Sequence, residues 1–541
     1  MRWGVLILVL MTAAAARGAE QPTTKLTGTI VDLKSGEPLP ARLSVRSSTG
    51  KWHVVKTAST AGSALEYRKL RGTKSLEVHT TLSAHPFVVE LPPGKYTFVA
   101  ERGKEYHTTT KIVDVGTDPV AIQLGLRRWT DMAALGWVSG DTHVHRTLDE
   151  LPNVMLAEDL NVALPLTQWV TKSDTPPTKG DKNTDGGGPP KLIRIDDTHV
   201  VWPLNTEYEI FTVGPKRHTL GAVFILNHRQ PFELGTPPVA PIAQEARRQK
   251  AILDLDKHSW PWSLMLVPTM KVDLFELTNN HVWRTDFHFK RFRAGALPEF
   301  LDVETDDEGM TERGWVDFGF GTYYALLNCG FRMRPTAGTA SGVHPVSLGF
   351  GRVYVYAPTK GKLDYGQWIK GLDAGNSFIT TGPMLPLRFN KQLPGHTFSV
   401  KAGETPSCKI TGAAESARPL SKIEIIVNGE VRSRVKPLNR KTAKGGFTSP
   451  LDISLELDGS SWVAVRCESE LPNGRFRFAH TAPVHFDVAG QPLRPKQAEV
   501  RYFVRRMEEE LVNNRGVLKP AALAEYQKAL EAYREIAKRA R

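Results

Sequence analysis

Alternating apolar and polar residues predict an antiparallel β-sandwich in the first quarter of the chain. Short runs such as KLTGTIVD, ARLSVRS and KIVDVG alternate in this way, and Gly, Pro and Asp separate them. Successive side chains of an extended strand point to opposite faces, so each run offers one apolar face to a core. We therefore expect a small sandwich over residues 25–128.

The pattern changes over residues 129–386, where strand-like runs are mixed with helical stretches. VFILNHR, VDLFELTNNH and RVYVYAP are typical of strands, and PIAQEARRQK and FGTYYALLNCGF have helical spacing. Strands that alternate with helices favour an α/β layer or barrel. One stretch, residues 172–191, is rich in Gly, Pro and charge, and we interpret it as either a surface loop near a site or a plain insertion.

Strand patterns return over residues 387–490 and predict a second antiparallel β-sandwich. In KIEIIVNGEVRSRV, Asn428 and Gly429 separate two alternating runs, which is the sequence of a type I′ hairpin. Residues 491–541 instead carry two apolar stripes with helical spacing, and Gly516 and Pro520 lie between them as stop and start signals. We expect a helical hairpin packed on the body of the protein.

The first 19 residues have the order of a secretory signal peptide. Arg2 is followed by an apolar run at residues 5–11 and then by small residues up to Ala19. No later segment approaches about 20 uninterrupted apolar residues, so no integral membrane segment is expected in the mature chain. The sequence therefore predicts a secreted or periplasmic protein.

Charge and cysteine content narrow the class of protein further. The formal charge is +13, but the basic residues are interleaved with acids and form no aromatic-lined stripe, so a nucleic-acid partner is not expected. Arg146, Lys257 and Lys271 are interpreted as surface charges rather than anion contacts. The chain has only three cysteines, of which Cys408 and Cys467 fall in one β-rich region and can either pair or remain free.

The first candidate metal ligands lie in the segment GWVSGDTHVHRTL. On an extended strand Asp141, His143 and His145 share one face, so two imidazoles can converge on one ion. A random chain with 16 His in 541 residues would contain about half an HxH motif by chance, so the spacing alone does not decide the matter.

Further imidazoles and carboxylates lie at the ends of strand-like runs in the same region. Open α/β folds place ligands at such strand ends, and mixed imidazole and carboxylate ligands suit Zn²⁺, Mn²⁺ or Fe²⁺. The residues concerned are Glu207, Glu209, His218, His258, Asp273, Glu276, His281 and His344.

Two resemblances follow from these motifs. GWVSGDTHVHR resembles the first motif of the PHP (polymerase and histidinol phosphatase) metallohydrolase superfamily, and LDAGNSFITTGPMLPLRFNKQLPG resembles the closing segment of its exported CehA/McbA-like branch. TGTIVDLKSGEPLPARLSV and LPPGKYTFVAERG resemble the carboxypeptidase-regulatory-like β-sandwich. Combined with the strand and helix patterns described above, these likenesses imply a multidomain protein with a central α/β distorted (β/α)7 barrel, two flanking antiparallel β-sandwiches and a C-terminal helical hairpin.

The PHP resemblance also implies a set of metal ligands. Residue by residue it implies His143 and His145 from the first motif, Glu207 as a bridging carboxylate, His258 as a third imidazole and His344 from the last motif. The chain departs from the pattern in two places. Gln168 and Trp169 replace an acid and an imidazole, and Gly342 stands where an aspartate is expected. We therefore expect one or two divalent transition metals (Zn, Mn or Fe) rather than three.

The remaining residues of the region receive supporting roles in this hypothesis. Asp141 and Glu276 are expected to orient the ligands from outside the coordination sphere. His281, His218 and Glu209 are the candidates for acid and base. The expected activity is hydrolysis of a phosphoester, ester, amide or carbamate by a metal-activated water.

Two alternatives remain open at the level of sequence. A degenerate PHP-like domain can act as a non-catalytic binding module for carbohydrate or cell-surface material, with stacking tryptophans near the site motifs; these are Trp169, Trp202, Trp260, Trp262 and Trp283. Alternatively, a metal can serve folding only. The expected ligand is a small molecule or a glycan-like substrate, and the oligomeric state is not predicted.

Overall fold

The computed structural model describes residues 22–179, 187–291, 297–359 and 361–541. The predicted signal peptide lies outside these residues, as do residues 180–186 of the predicted insertion.

The N-terminal region is built from ten strands in two sheets, as the alternating pattern predicted, but it is not wholly antiparallel, because its last strand, Val120–Leu126, lies parallel to its first, Thr24–Asp32. One sheet has the order β10-β1-β7-β4, and the other has the order β5-β6-β2-β8-β9 with β3 paired to β2. Leu26 and Phe87 of the first sheet share a core with Leu43 and Phe98 of the second. The strands are β1 (Thr24–Asp32), β2 (Ala41–Ser47), β3 (Trp52–His53), β4 (Lys56–Thr57), β5 (Ala64–Arg71), β6 (Ser75–Leu82), β7 (Phe87–Leu91), β8 (Gly94–Glu101), β9 (Thr109–Val115) and β10 (Val120–Leu126).

The central region mixes strands and helices. Its strands are β11 (Trp137–Val144), β12 (Val162–Pro165), β13 (Gln168–Lys172), β14 (Thr178–Lys179), β15 (Ile193–Arg194), β16 (Val200–Val201), β17 (Thr206–Val213), β18 (Lys216–Leu226), β19 (Ile252–Leu255), β20 (Leu274–Thr278), β21 (Thr305–Asp306), β22 (Gly309–Met310), β23 (Arg334–Ala337), β24 (Arg352–Tyr356) and β25 (Ser377–Thr380). Its α-helices are α1 (Leu151–Ala157), α2 (Ala240–Gln249), α3 (Ser263–Leu266), α4 (Glu312–Asn328) and α5 (Tyr365–Ala374). A 3₁₀ turn covers Ala133–Leu135, and a π-helical turn, Val267–Lys271, continues α3.

The C-terminal region contains ten strands followed by two helices. The strands are β26 (Arg388–Phe389), β27 (Thr397–Val400), β28 (Ser407–Ser416), β29 (Lys422–Val427), β30 (Glu430–Val435), β31 (Arg440–Lys441), β32 (Phe447–Glu456), β33 (Ser461–Glu470), β34 (Phe476–Thr481) and β35 (Val484–Val488). The helices are α6 (Gln497–Asn514) and α7 (Pro520–Ala537).

Apart from β21 and β22, which pair only with each other, the central strands form two sheets that share one core. The expected barrel does not close through hydrogen bonds among the described strands. One sheet has the order β14-β13-β17-β18-β19-β20-β23. The other begins β15-β16-β12-β11-β24-β25 and continues through β34 into the C-terminal strands. Because β25 pairs with β34, the predicted boundary at residue 386 is crossed by a continuous twelve-stranded sheet. A shorter sheet, β26-β28-β32-β31, packs against its C-terminal part.

A network of buried and partly buried ion pairs joins the N-terminal sandwich to the central region. Arg284 of the central region pairs with Glu77 at 2.6 Å and also with Glu101, while Arg42 lies 3.1 Å from Glu101 and pairs with Glu158. The sandwich therefore contacts the central region through charges that compensate each other.

The predicted helical hairpin at the C-terminus is confirmed. Helix α7 contacts the central region through Tyr533, whose hydroxyl donates to the Leu264 carbonyl at 2.7 Å. The carboxylate of Glu525 accepts bonds from the backbone N–H groups of Val239 and Ala240, at the N-terminus of α2. These groups have no partner within their own helix, so the hairpin stabilises α2 by capping it. In the described part of the chain, no helix has the length and apolarity needed to span a bilayer.

Two local expectations have clear outcomes. Asn428 and Gly429 both have positive φ, 51° and 85°, and connect β29 to β30 as the type I′ pattern predicted. All three cysteines are buried free thiols, so Cys408 and Cys467 do not pair. Cys408 lies on β28 and Cys467 on β33, which belong to different sheets, and both side chains fill the core between those sheets.

Candidate metal centre

The two histidines of the HxH motif lie at the end of β11, where the side chains of Asp141, His143 and His145 are fully buried. The Nε2 atoms of His143 and His145 are 3.1 Å apart. Glu207, the second residue of β17, brings its Oε2 atom to 3.4 Å from His145 Nε2. The ligand atoms of His143, His145 and Glu207 all lie within 4.8 Å of one another and can hold a metal ion.

A second group shares His143 with the first. Glu276 on β20 places Oε1 3.2 Å from His143 Nδ1, and Asp256, which follows β19, places Oδ1 3.8 Å from the same nitrogen. These three residues also satisfy the distances of a metal group. A neutral imidazole has one nitrogen free to act as an acceptor, so His143 can serve only one of the two groups as a ligand at a time.

Buried carboxylates dominate the electrostatics of the two candidate metal groups. Burial raises the pKa of Asp254 to about 8, and neighbouring Asp256 adds to the rise although Thr336 donates to the carboxylate. Burial together with Asp256 and Asp254 raises the pKa of Glu276 well above its ordinary value. Lys257 pairs with Asp256 and supplies a compensating positive charge beside these acids.

The residues present fit a divalent cation. The Oδ1 atom of Asp256 is buried and has no hydrogen-bond partner among the described residues. A buried carboxylate oxygen without a donor is costly, and a cation removes that cost while also relieving the repulsion among the acids. Two imidazoles and three carboxylates form a donor set that suits Zn²⁺, Mn²⁺ or Fe²⁺.

Two glycines allow the ligands to approach each other. A Cβ atom on Gly338 would lie 1.8 Å from Glu276 Oε1 and 2.2 Å from His143 Cβ. Gly342 has φ of +114°, and a Cβ there would lie 2.0 Å from the carbonyl oxygen of His145. The positive φ and the close backbone approach together favour glycine at position 342.

Asp141 orders the backbone around the centre and belongs to neither metal group. Its carboxylate accepts bonds from the Thr339 hydroxyl at 2.6 Å and from the backbone N–H groups of Gly349 and His143. Burial nevertheless raises the pKa of Asp141 to about 6. The side chain thereby ties the end of β11 to the chain that follows β23, which is a supporting position outside the ligand set.

His258 and His344 are not brought into either metal group. The ring of His258 packs against Trp315 and Phe318, with centroids 4.6 and 4.4 Å away, and neither nitrogen has a hydrogen-bond partner among the described residues. Burial and Lys257 lower the pKa of His258 to about 3. The ring of His344 lies 6.4 Å from that of His281 instead.

A cavity of about 670 Å³ is lined by several of these residues, including Glu209, Lys257, His281 and His344. Burial, together with Lys257 and His344, lowers the pKa of His281 well below its ordinary value. His218 does not line the cavity. Its Nε2 atom instead lies 2.7 Å from Asn514 Oδ1 of helix α6. Of the three candidate acids and bases, Glu209 and His281 therefore share the cavity.

Asp256 was not among the candidate ligands predicted from the sequence, and two cations were wrongly interpreted as surface charges. In LDLDKHSWPW, the alternation of Asp254 and Asp256 along a buried strand was the available signal for this residue. Lys257 and Arg146 are not surface charges, because only 2% and 4% of their surfaces are exposed. Lys257 compensates Asp256, and Arg146 lies over the ring of Tyr67 at 3.9 Å. Lys271 is exposed, as expected.

The N-terminal sandwich contributes directly to the surroundings of the centre. The hydroxyl of Tyr67 on β5 donates to the His344 carbonyl at 2.5 Å and accepts from the Gly342 N–H at 3.0 Å. Arg71, at the end of the same strand, lines the cavity. The backbone that carries His344 is therefore held by a different region of the chain.

Comparison of the chain with models of known families, with curated proteins and with solved structures found no match. The geometry of the centre and its cavity therefore carries the functional argument.

Proposed function

We propose that this protein is an exported metal-dependent hydrolase that acts on a phosphoester, ester, amide or carbamate. The observation that carries the proposal is the convergence of His143, His145, Glu207, Asp256 and Glu276, from four separate strands or strand ends, in one buried cluster. The PHP resemblance of the HxH motif supports it. The two sheets around one core are compatible with an opened form of the barrel that this resemblance implies.

The chemistry follows from the positions of the side chains. When bound, a divalent metal supplies an electrophile for a substrate oxygen and lowers the pKa of water toward neutrality. His281 lines the adjoining cavity and stays neutral near pH 7 because its pKa is lowered by burial, Lys257 and His344. Its Nδ1 atom has no partner among the described residues and can accept a proton. Glu209, in the same cavity, is the second residue able to move a proton.

Elemental analysis of the purified protein, combined with hydrolysis assays, tests the proposal. We expect one or two equivalents of transition metal, and activity on p-nitrophenyl phosphate, p-nitrophenyl acetate or a naphthyl carbamate that a chelator removes and added metal restores. His145→Asn and Glu207→Gln should lose metal, whereas His396→Asn, at an exposed histidine, should retain it. A metal-free wild-type protein without hydrolytic activity would refute the proposal.

A second candidate function, a non-catalytic binding module, is favoured by one observation. Trp169 and Trp260 line the cavity and are only partly buried, so they can contact a ligand. Binding of a ligand by a protein that never hydrolyses the substrate panel would favour this module. Metal-dependent turnover favours the hydrolase.

A metal that serves folding alone predicts that His143→Ala unfolds the central region in a thermal melt.

A further inference from the structure

The cavity beside the metal centre has a strongly positive lining. Among the described residues that line it, five side chains are cationic and one, Glu209, is a carboxylate. The cationic residues are Arg71, Arg217, Lys257, Arg291 and Arg506. Positive charge concentrated within low-dielectric walls attracts anions more strongly than the same charge spread over an open surface.

These cations come from three regions of the chain and from different depths. Arg71 belongs to the N-terminal sandwich and Arg506 to helix α6, and the other three belong to the central region. Arg71, Arg217 and Arg291 are exposed, whereas Lys257 and Arg506 are buried. Cations at both the exposed rim and the buried interior favour a ligand that carries several negative groups along its length over a single compact anion.

Three cations at the rim are not neutralised by neighbouring acids. The buried pair is compensated, since Lys257 pairs with Asp256 and Arg506 with Glu509 and Glu510. Within the described residues, Arg71, Arg217 and Arg291 form no ion pair. Arg217 lies over the ring of Phe211 at 5.3 Å and Arg71 over that of Phe289 at 5.9 Å. Stacking on a ring holds a guanidinium in place and leaves its N–H groups able to bind an oxyanion.

The aromatic residues of the cavity point to a ligand built from rings. Trp169 and Trp260 are partly buried cavity residues, whereas Trp262 and Trp283 are buried in the core. Trp202 stacks on Tyr365 with a centroid distance of 5.7 Å and does not line the cavity. The indole N–H of Trp169 donates to Glu209 at 3.2 Å, and the apolar faces of the partly exposed tryptophans suit the apolar face of a pyranose. The cavity volume of about 670 Å³ lies within the range of small-ligand sites.

We propose that this cavity binds an acidic oligosaccharide, a chain of sugar rings that carry carboxylate or sulfate groups. The inference rests on the proposed function for its choice of site, and the bond hydrolysed there would be an ester, amide or phosphoester substituent of such a sugar rather than the glycosidic linkage. Recognition depends on the rim arginines and on the two cavity tryptophans, which are separate from the metal ligands. Binding can therefore be measured independently of turnover.

Titration calorimetry with the full chain, both metal-loaded and chelator-treated, tests the inference. The probes are trigalacturonate, a chondroitin sulfate tetrasaccharide, the neutral trisaccharide maltotriose and a six-nucleotide single-stranded oligothymidylate. We expect at least one acidic sugar to bind about tenfold or more tightly than maltotriose, because charge-assisted hydrogen bonds are the stronger kind. The carboxylated and sulfated probes distinguish the two sources of negative charge.

Variants at exposed rim positions locate the binding. Arg217→Gln and Arg71→Gln should each weaken binding of the acidic sugar about five- to tenfold, while Lys216→Gln and Arg68→Gln remove the same charge outside the cavity and should leave binding unchanged. Trp260→Ala should weaken binding, and Trp202→Ala should not. All six variants are first checked by thermal melt, so that loss of folding is separated from loss of contact.

The results that overturn the inference are specific. They are equal affinity for maltotriose, tighter binding of the oligonucleotide, absence of binding by every acidic sugar, or equal losses in the rim and control variants. If hydrolysis of the generic panel is metal-dependent while no acidic sugar binds, this inference is wrong and the proposed function stands. If acidic sugars bind to a protein that holds no metal, the proposed function fails and this inference stands.

Discussion

Gly338 offers the sharpest test of the geometry of the metal centre. It directly follows β23 and packs against two candidate ligands. A methyl group at this position would lie 1.8 Å from Glu276 Oε1 and 2.2 Å from His143 Cβ. The Gly338→Ala substitution therefore inserts one carbon atom where both neighbours are already in contact with the backbone, and one or both of them must move.

The size of the effect follows from these distances. Carbon atoms make favourable contact at about 3.5–4.0 Å, so the gap to His143 must open by more than about 1 Å. A metal site tolerates displacements of its ligands of only about 0.5 Å. We expect affinity for the metal to fall at least about tenfold, by analogy with the losses seen when residues that support ligands are changed. Overpacking should also lower the free energy of unfolding by about 1–3 kcal/mol.

Metal affinity is measured by competition with a chromophoric chelator, and stability by denaturant unfolding followed through tryptophan fluorescence. Gly116→Ala is the matched control, because a Cβ atom there would meet no atom within 4 Å. The control should retain both the metal affinity and the stability of the parent protein. If Gly338→Ala also retains both, His143 and Glu276 do not pack around this glycine, and the reasoning about the centre is wrong.

Three further predictions concern regions around the centre. Tyr67→Phe removes the hydroxyl bonded to the His344 carbonyl and should therefore lower the free energy of unfolding by about 1–3 kcal/mol in denaturant melts. Turnover should fall while metal content stays unchanged, and loss of metal would contradict this prediction. Although burial alone would raise it, Arg284 and Arg42 hold the pKa of Glu101 at about 2. Since this pKa is below the usual 4.5, the ion pair stabilises the fold above pH 4.5 and loses that effect as pH falls towards 2. Glu101→Gln should flatten the dependence of Tm on pH within this window, and an unchanged slope would contradict the assignment. Burial raises the pKa of Cys408 to about 12, so iodoacetamide at pH 8 should modify this thiol only after the protein unfolds. Mass spectrometry would detect the modification, and modification of Cys408 in the native protein would refute the burial of this side chain.

Much of the local structure could be predicted from the sequence. Asn428 and Gly429 indicated the hairpin between β29 and β30, because few residues tolerate the positive φ angles of that turn. The apolar stripes of α6 and α7 indicated a helical pair, since a period near 3.6 is visible within one segment. These features depend on residues close together in the chain.

Part of the candidate site could also be predicted from the sequence. The alternation of side chains along an extended strand placed His143 and His145 on one face before any partner was known. The choice of Glu207 depended on the family resemblance, and the structure does bring this residue to His145. His258 was chosen on the same basis and lies instead among aromatic rings.

Tertiary structure alone decided the rest. The amino-acid sequence does not indicate that β25 pairs with β34, because that pairing joins segments about a hundred residues apart. Asp256 and Lys257 differ from ordinary surface charges only through their burial, which depends on what packs over them. Arg506 of α6 and Arg71 of β5 meet in one cavity for the same reason. The sequence determines which conformations each segment prefers, whereas the burial of charge and the convergence of distant side chains depend on how the segments pack together.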